Sequence, residues 1–96
     1  MIQKTYLKTK DTCKVKFTLS AENANSVAVV GLNNDWENPI PLTKKKDGSF
    51  AAEVALTKGS QHEFKYLVNG TEWLNDETAD SQSINEFGST NSVIVL

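Results

Sequence analysis

The chain has 96 residues, of which 39% are hydrophobic and 23% charged, as is typical of one soluble globular domain with a modest core. Its net charge is −2, and all ten of its basic residues are lysine. This balance argues against nucleic acid, whose recognition depends on clustered arginine and lysine. No apolar run reaches the length of a membrane span. We therefore predict one domain over residues 1–96, with no nucleic-acid partner and no membrane partner.

The N-terminal segment, MIQKTYLKTK, mixes lysine with apolar residues and does not have the pattern of a secretory signal. Cys13 is the only cysteine, which excludes an internal disulfide and an all-cysteine metal site. It alternates with Val15, Phe17 and Leu19, so we predict a buried, hydrophobic position for it. The lack of disulfides and of a signal favours a cytoplasmic location.

Alternation of apolar and polar residues with a period of two recurs along the chain, and no segment keeps helical spacing. The clearest runs are CKVKFTL, SFAAEVAL and HEFKYLVNG, with shorter apolar runs in SVAVVG and NSVIVL. Turn signals separate these runs, and Asn69-Gly70 is the strongest hairpin signal among them. About seven short strands, with a turn about every ten residues, predict an all-β antiparallel sandwich.

The stretch over residues 75–90, NDETADSQSINEFGST, shows no strand pattern and is predicted to be a long irregular loop. Its acidic residues Asp76, Glu77 and Asp80 lack the spacing and the central glycine of a calcium-binding EF-hand. We expect them to form a solvated acidic loop.

Catalytic and metal-binding patterns are missing from the sequence. The single histidine, His62, falls on the apolar face of its predicted strand, which favours a packed side chain over a general base. One histidine and one cysteine do not make a transition-metal site. No phosphate-binding glycine loop and no nucleophile elbow occurs. We predict a protein that is not an enzyme and that uses no cofactor and no metal.

The two tryptophans are the residues that most strongly suggest a ligand. Trp36 lies in a polar loop after an apolar run, and Trp73 follows the Asn69-Gly70 turn, which brings it onto the same strand face as Lys65. Two indoles and an ammonium on one surface suit a sugar, since an indole packs on the C–H face of a pyranose ring. Sugar hydroxyls also need donors and acceptors, which Lys65 and Asn91 supply. The competing explanation is that both tryptophans only fill space in the core or at its edge.

The order of these residues resembles the family 48 carbohydrate-binding modules, the isoamylase early-set domains. Such modules occur in glycogen branching and debranching enzymes and in the β subunit of AMP-activated protein kinase. The resemblance covers roughly residues 25–96 and depends on the blocks GLNNDW, PL, FKYLVNG, TEW and FGSTN in that order. It implies a single immunoglobulin-like antiparallel β-sandwich of the early-set type.

The resemblance also implies roles for individual side chains. In glycogen-binding members of the family, two tryptophans stack glucose rings, a lysine and a late asparagine bond hydroxyls, and a hydrophobic residue packs into the curl of the α-glucan. The carbohydrate-binding residues that it implies here are Trp36, Lys65, Trp73, Phe87, Ser89 and Asn91.

Three positions differ from the family pattern. Asn33 stands where the loop often has phenylalanine, Glu77 where proline is usual, and Phe87 where leucine is usual. We expect a looser Trp36 loop from the first change and a less stiff long loop from the second. The third either lengthens the stacking platform or blocks it.

These observations favour a non-catalytic module that binds α-glucans such as glycogen, starch or maltooligosaccharides. The alternative is a protein-interaction module of the same fold, partnering a glucan-metabolising enzyme, because exposed aromatics and sheet edges also suit protein contacts. A third reading is a diverged copy that keeps the fold and has lost its ligand.

Overall fold

The computed structural model describes residues 1–21 and 23–96, which form ten β-strands and one 3-10 turn at Leu32–Asn34. The strands are β1 Ile2–Tyr6, β2 Thr12–Ser20, β3 Val27–Val30, β4 Ile40–Pro41, β5 Thr43–Lys44, β6 Ser49–Thr57, β7 Gln61–Val68, β8 Glu72–Leu74, β9 Ser81–Ile84 and β10 Thr90–Val95. One antiparallel sheet has the order β1-β2-β6-β5, and the other has the order β4-β3-β7-β10-β9 with β8 paired to β7. The predicted all-β sandwich is confirmed. None of the described residues belongs to a helix long and apolar enough to cross a bilayer.

The core lies between the two sheets and is built from alternate residues of the longest strands. In β2, Cys13, Val15 and Phe17 are fully buried, whereas the lysines between them face outward. The ring of Phe17 meets Phe64 of β7 edge to face, with 5.3 Å between the ring centroids. Because side chains alternate across a strand, the period-two pattern identified the buried face, and the predicted burial of Cys13 is confirmed.

The expectation of one irregular loop over residues 75–90 is wrong in part. Ser81–Ile84 forms β9, which pairs with β10 at the edge of the second sheet and sets Ser83 opposite Asn91. An edge strand of this kind is held by backbone hydrogen bonds more than by buried side chains. Its sequence, SQSI, therefore carries little of the hydrophobic alternation from which a strand is predicted.

The expectation that Asp76 belongs to a solvated acidic loop is also wrong, because Asp76 is buried. Only 4% of the Asp76 surface is exposed. Its Oδ2 accepts hydrogen bonds from the Tyr66 hydroxyl at 2.6 Å and the Met1 amine at 3.0 Å. Its Oδ1 accepts from the backbone and hydroxyl of Thr78 at 2.8 and 2.6 Å. Burial alone would raise the pKa of Asp76, but these hydrogen bonds outweigh it and hold the pKa below its ordinary value. The carboxylate thus ties the start of the long loop to the core.

Several turns are stabilised by the same local hydrogen bond, in which a side-chain oxygen accepts the backbone N–H of the residue two positions later. The acceptors are Asp35, Asp47, Asp76 and Asn85, which bond the backbone N–H of Glu37, Ser49, Thr78 and Phe87 in that order. The first and the last of these turns lie at the groove described next.

Candidate functional site

A shallow groove of about 520 Å³ lies on the outward face of the second sheet. Its lining residues are Trp36, Lys65, Trp73, Asn85, Glu86, Phe87, Ser89 and Asn91. The structure therefore brings together all the residues that the resemblance implied for sugar binding. It adds Asn85 and Glu86, which the sequence analysis missed.

Trp73 and Lys65 reach the groove through the β7–β8 hairpin. Leu67 of β7 lies opposite Trp73, and Lys65 is two residues earlier, so all three side chains are on the outward face. Asn69 and Gly70 have φ values of 53° and 72°, the positive angles that an Asn-Gly hairpin turn requires. The hairpin predicted at these residues is confirmed, and it leaves Trp73 49% exposed.

Trp36 rests on the backbone of the loop that carries it. The N–H of Gly31 donates to the carbonyl of Asp35 at 3.1 Å, and the N–H of Asp35 donates to the carbonyl of buried Leu32 at 3.1 Å. A Cβ atom added to Gly31 would lie 2.7 Å from Cη2 and Cζ2 of Trp36 and 2.6 Å from the carbonyl oxygen of Glu63. The outer edge of the indole therefore covers Gly31, and Trp36 stays 38% exposed.

His62 provides a second anchor for the Trp36 loop. The backbone N–H of Asn33 donates to His62 Nδ1 at 3.1 Å, and His62 Nε2 lies 2.8 Å from Ser60 Oγ. The Ser60 hydroxyl in turn donates to the carbonyl of Thr57. Nδ1 accepts, so the ring proton is on Nε2 and the imidazole is neutral. Burial lowers the pKa of His62. The packed histidine is confirmed, and it is bonded to the Asn33 backbone. The looser loop expected from Asn33 stays a prediction.

The loop at residues 85–89 carries the hydrophobic tip of the groove. Asn85 Oδ1 accepts the N–H of Phe87 at 2.9 Å and of Ser89 at 3.2 Å. The backbone N–H of Asn85 also donates to the carbonyl of Ser89 at 2.8 Å, which closes the loop. These bonds hold Phe87 at the tip, where it is 85% exposed.

The floor of the groove is a row of hydrogen-bonded side chains. Lys65 Nζ donates to Ser89 Oγ at 3.4 Å, and Asn85 Nδ2 donates to Asn91 Oδ1 at 3.2 Å. Asn91 Nδ2 donates to Oε1 of Glu63 at 3.3 Å. Asn91 is only 7% exposed, and its amide is engaged at both ends, which leaves one N–H and one lone pair for a ligand.

The groove combines half-exposed indoles, an apolar tip and hydrogen-bonding groups beside them. Among residues 1–21 and 23–96, no three His, Cys, Asp or Glu side chains are placed to hold a metal ion. Indole faces match the C–H face of a sugar ring, and the polar floor matches hydroxyl groups. An antiparallel sandwich with such a groove has the features of a carbohydrate-binding module.

Comparison with known proteins places this module in a family. The chain belongs to the family of the glycogen recognition site of AMP-activated protein kinase, whose family model matches residues 13–96. A comparison with curated proteins found no match. The resemblance that we drew over residues 25–96 is confirmed, and the matched region extends back to β2. The domain is therefore a glycogen-recognition module, of a class that is generally non-catalytic.

Proposed function

We propose that the groove binds α-glucan chains by stacking glucose rings on Trp36 and Trp73, while Lys65 donates hydrogen bonds to sugar hydroxyls. The observation that carries the proposal is that both indoles remain substantially exposed and line one groove with Lys65. The aromatic residues of the core, such as Phe17 and Phe64, are fully buried. Exposed indoles that converge on one groove are typical of a ligand surface.

Phe87 extends this platform in the proposed complex. It is held away from the sheet by the loop at residues 85–89, so it can pack against the apolar faces of a curved glucan. Because the groove is shallow and open, we expect a dissociation constant on the order of 10 μM to 1 mM for short maltooligosaccharides. The ligand is neutral, so the affinity should change little with salt.

Affinity electrophoresis in gels with and without glycogen tests the proposal. The wild-type domain should be retarded by glycogen, and Trp36→Ala and Trp73→Ala should each migrate nearly as in the glycogen-free gel. Tyr6→Ala is a matched control, because Tyr6 is a half-exposed aromatic residue on β1 of the other sheet. Loss of retardation in the Tyr6 variant, or retention of the wild type by cellulose and not by glycogen, would contradict the proposal.

A second function, association with a glucan-metabolising enzyme, is favoured by one observation. Ile84 is 80% exposed and belongs to the edge strand β9. A sheet edge can pair with a strand of another protein, and an exposed apolar side chain there can pack against that protein. Ile84→Lys should abolish such an association and leave glycogen retardation unchanged. Analytical ultracentrifugation with a branching enzyme measures the first effect. If wild type and Ile84→Lys sediment alike with the enzyme, this function is refuted.

A further inference from the structure

Asn85 stands at the centre of the polar network in the groove. Its Oδ1 accepts from the backbone N–H of Phe87 and Ser89 at 2.9 and 3.2 Å. Its Nδ2 donates to Ser89 Oγ at 2.7 Å and to Asn91 Oδ1 at 3.2 Å. A side-chain amide has two N–H groups and two acceptor lone pairs, so the hydrogen-bonding capacity of Asn85 is fully used within the protein. Asn85 therefore has nothing left to offer a ligand directly, and its contribution is to place other groups.

Glu63 sets the direction of this network. A carboxylate can only accept hydrogen bonds, so Asn91 must turn its Nδ2 toward Glu63 Oε1, 3.3 Å away. The Asn91 Oδ1 then faces Asn85, which must supply an N–H at that point. The hydrogen bonds consequently run in one direction, from Asn85 through Asn91 to Glu63.

The direction of the network determines what Ser89 can do. Ser89 Oγ accepts from Asn85 Nδ2 at 2.7 Å and from Lys65 Nζ at 3.4 Å. These two bonds occupy both lone pairs of the hydroxyl oxygen, while the hydroxyl proton remains available. Ser89 can therefore act toward a ligand only as a donor.

We propose that Asn85 is a positioning residue with two separate roles. Through Oδ1 it holds the loop that carries Phe87, and through Nδ2, with Glu63 fixing the direction, it makes Ser89 a hydrogen-bond donor toward a glucose hydroxyl oxygen. The second role rests on the proposed glucan binding, whereas the first does not depend on any ligand. Lys65 is also a donor, so Ser89 and Lys65 both present donors to the hydroxyl oxygens of a sugar.

Amide hydrogen exchange measured by NMR on the free domain tests the first role. Asn85→Ala removes the acceptor of the Phe87 and Ser89 amides, so both should exchange at least about ten-fold faster. Asn85→Asp keeps an oxygen at the same position, and both amides should stay protected. Asn23→Asp, at an exposed turn outside the groove, controls for the added charge. If exchange in Asn85→Ala matches the wild type, the first role is refuted, whatever the domain binds.

Titration calorimetry with maltoheptaose tests the second role. In Asn85→Asp the Ser89 hydroxyl should turn to donate to the new carboxylate, so affinity should fall about three- to ten-fold although the loop is intact. Ser89→Ala should lose a similar factor. The double variant should bind no worse than either single variant, since both remove the same hydrogen bond.

The possible outcomes separate this inference from the proposed function. The donor role of Ser89 would be refuted if the double variant lost affinity by the product of the two single-variant losses. It would also be refuted if Asn85→Asp bound maltoheptaose with unchanged affinity. Failure of the wild-type domain to bind maltoheptaose or glycogen would refute the proposed function and the donor role with it. The exchange measurement would still decide whether Asn85 positions the Phe87 loop.

Discussion

Replacement of Gly31 by alanine tests whether the backbone beneath Trp36 determines where the indole lies. Gly31 has a φ of 109°, a region in which L side chains are strained. Its added Cβ would lie 2.6 Å from the Glu63 carbonyl oxygen and 2.7 Å from the indole, whereas ordinary contact begins at 3.4 Å. The carbonyl belongs to β7, in the middle of the second sheet, where it is held in place, so the Gly31 backbone must shift away from it and the indole must also move.

Two contributions give the expected loss of stability. Positive φ costs an alanine about 1–2 kcal/mol, and crowding of this kind adds about 1–3 kcal/mol. The free energy of unfolding should therefore fall by about 2–5 kcal/mol in Gly31→Ala. Gly59→Ala is the matched control, because Gly59 has a φ of 78° but nothing within 4 Å of the added Cβ. Only the backbone contribution, about 1–2 kcal/mol, applies there.

Urea unfolding and glycogen affinity electrophoresis of both variants provide the measurement. Gly31→Ala should be less stable than Gly59→Ala and should lose glycogen retardation, whereas Gly59→Ala should keep it. Equal stability of the two variants would refute the packing of Trp36 on Gly31. Full glycogen retardation in Gly31→Ala would refute the dependence of binding on the position of the indole.

The remaining predictions concern the tryptophans and two buried titratable groups. Trp73→Ala should nearly abolish glycogen retardation and lower the free energy of unfolding by about 1 kcal/mol or less. Trp36→Ala should lose both glycogen retardation and folding stability, because its indole covers the loop backbone. If thermal denaturation shows losses of about 3–5 kcal/mol at both positions, the two tryptophans are core residues instead. Asp76→Ala should lower the free energy of unfolding by about 3 kcal/mol or more, since it leaves buried donors without an acceptor. The folded-state pKa of Asp76 is lowered, so its stabilisation is complete above its ordinary pKa, about 4, and is lost as the pH falls through the folded value. Urea unfolding against pH should show a flatter acid limb in Asp76→Asn, and an unchanged limb would contradict this. The pKa of His62 is also lowered, so the stability it contributes is complete above about pH 6.5 and declines below it; an NMR titration midpoint for His62 above 6.5, the ordinary value, would contradict this.

Much of the fold could be predicted from the sequence because its signals are local. The alternation in β2 and the Asn69-Gly70 turn each follow from a few neighbouring residues. Burial of Asp76 could not be predicted in this way. It depends on a hydrogen bond to Tyr66, ten residues earlier, and on another to Ser92, 16 residues later. Such a network exists only once β7 and β10 of the second sheet are in place.

The candidate site was predicted through the order of its motifs, and its polar floor was not. The resemblance implied that Asn91 bonds sugar hydroxyls, and the structure shows its amide already engaged by Asn85 and Glu63. Asn85 was missed because its role is to bond its own loop. Its signal was present in the sequence, since an asparagine that precedes a glycine by three residues is typical of a tight turn.

The turns closed by an aspartate or asparagine oxygen have a consequence for how the module can change. Each such bond lies within three consecutive residues, so the turn takes its local shape from its own sequence, although Asp76 is also bonded to Tyr66 and Ser92 of the second sheet. The loop at residues 85–89 could therefore be exchanged as a short cassette, provided that the acceptor stays Asn or Asp. Glutamate would place its oxygen one methylene too far for the same bond. Variation in the loops could thus alter which sugars are recognised while the core sequence stays constant.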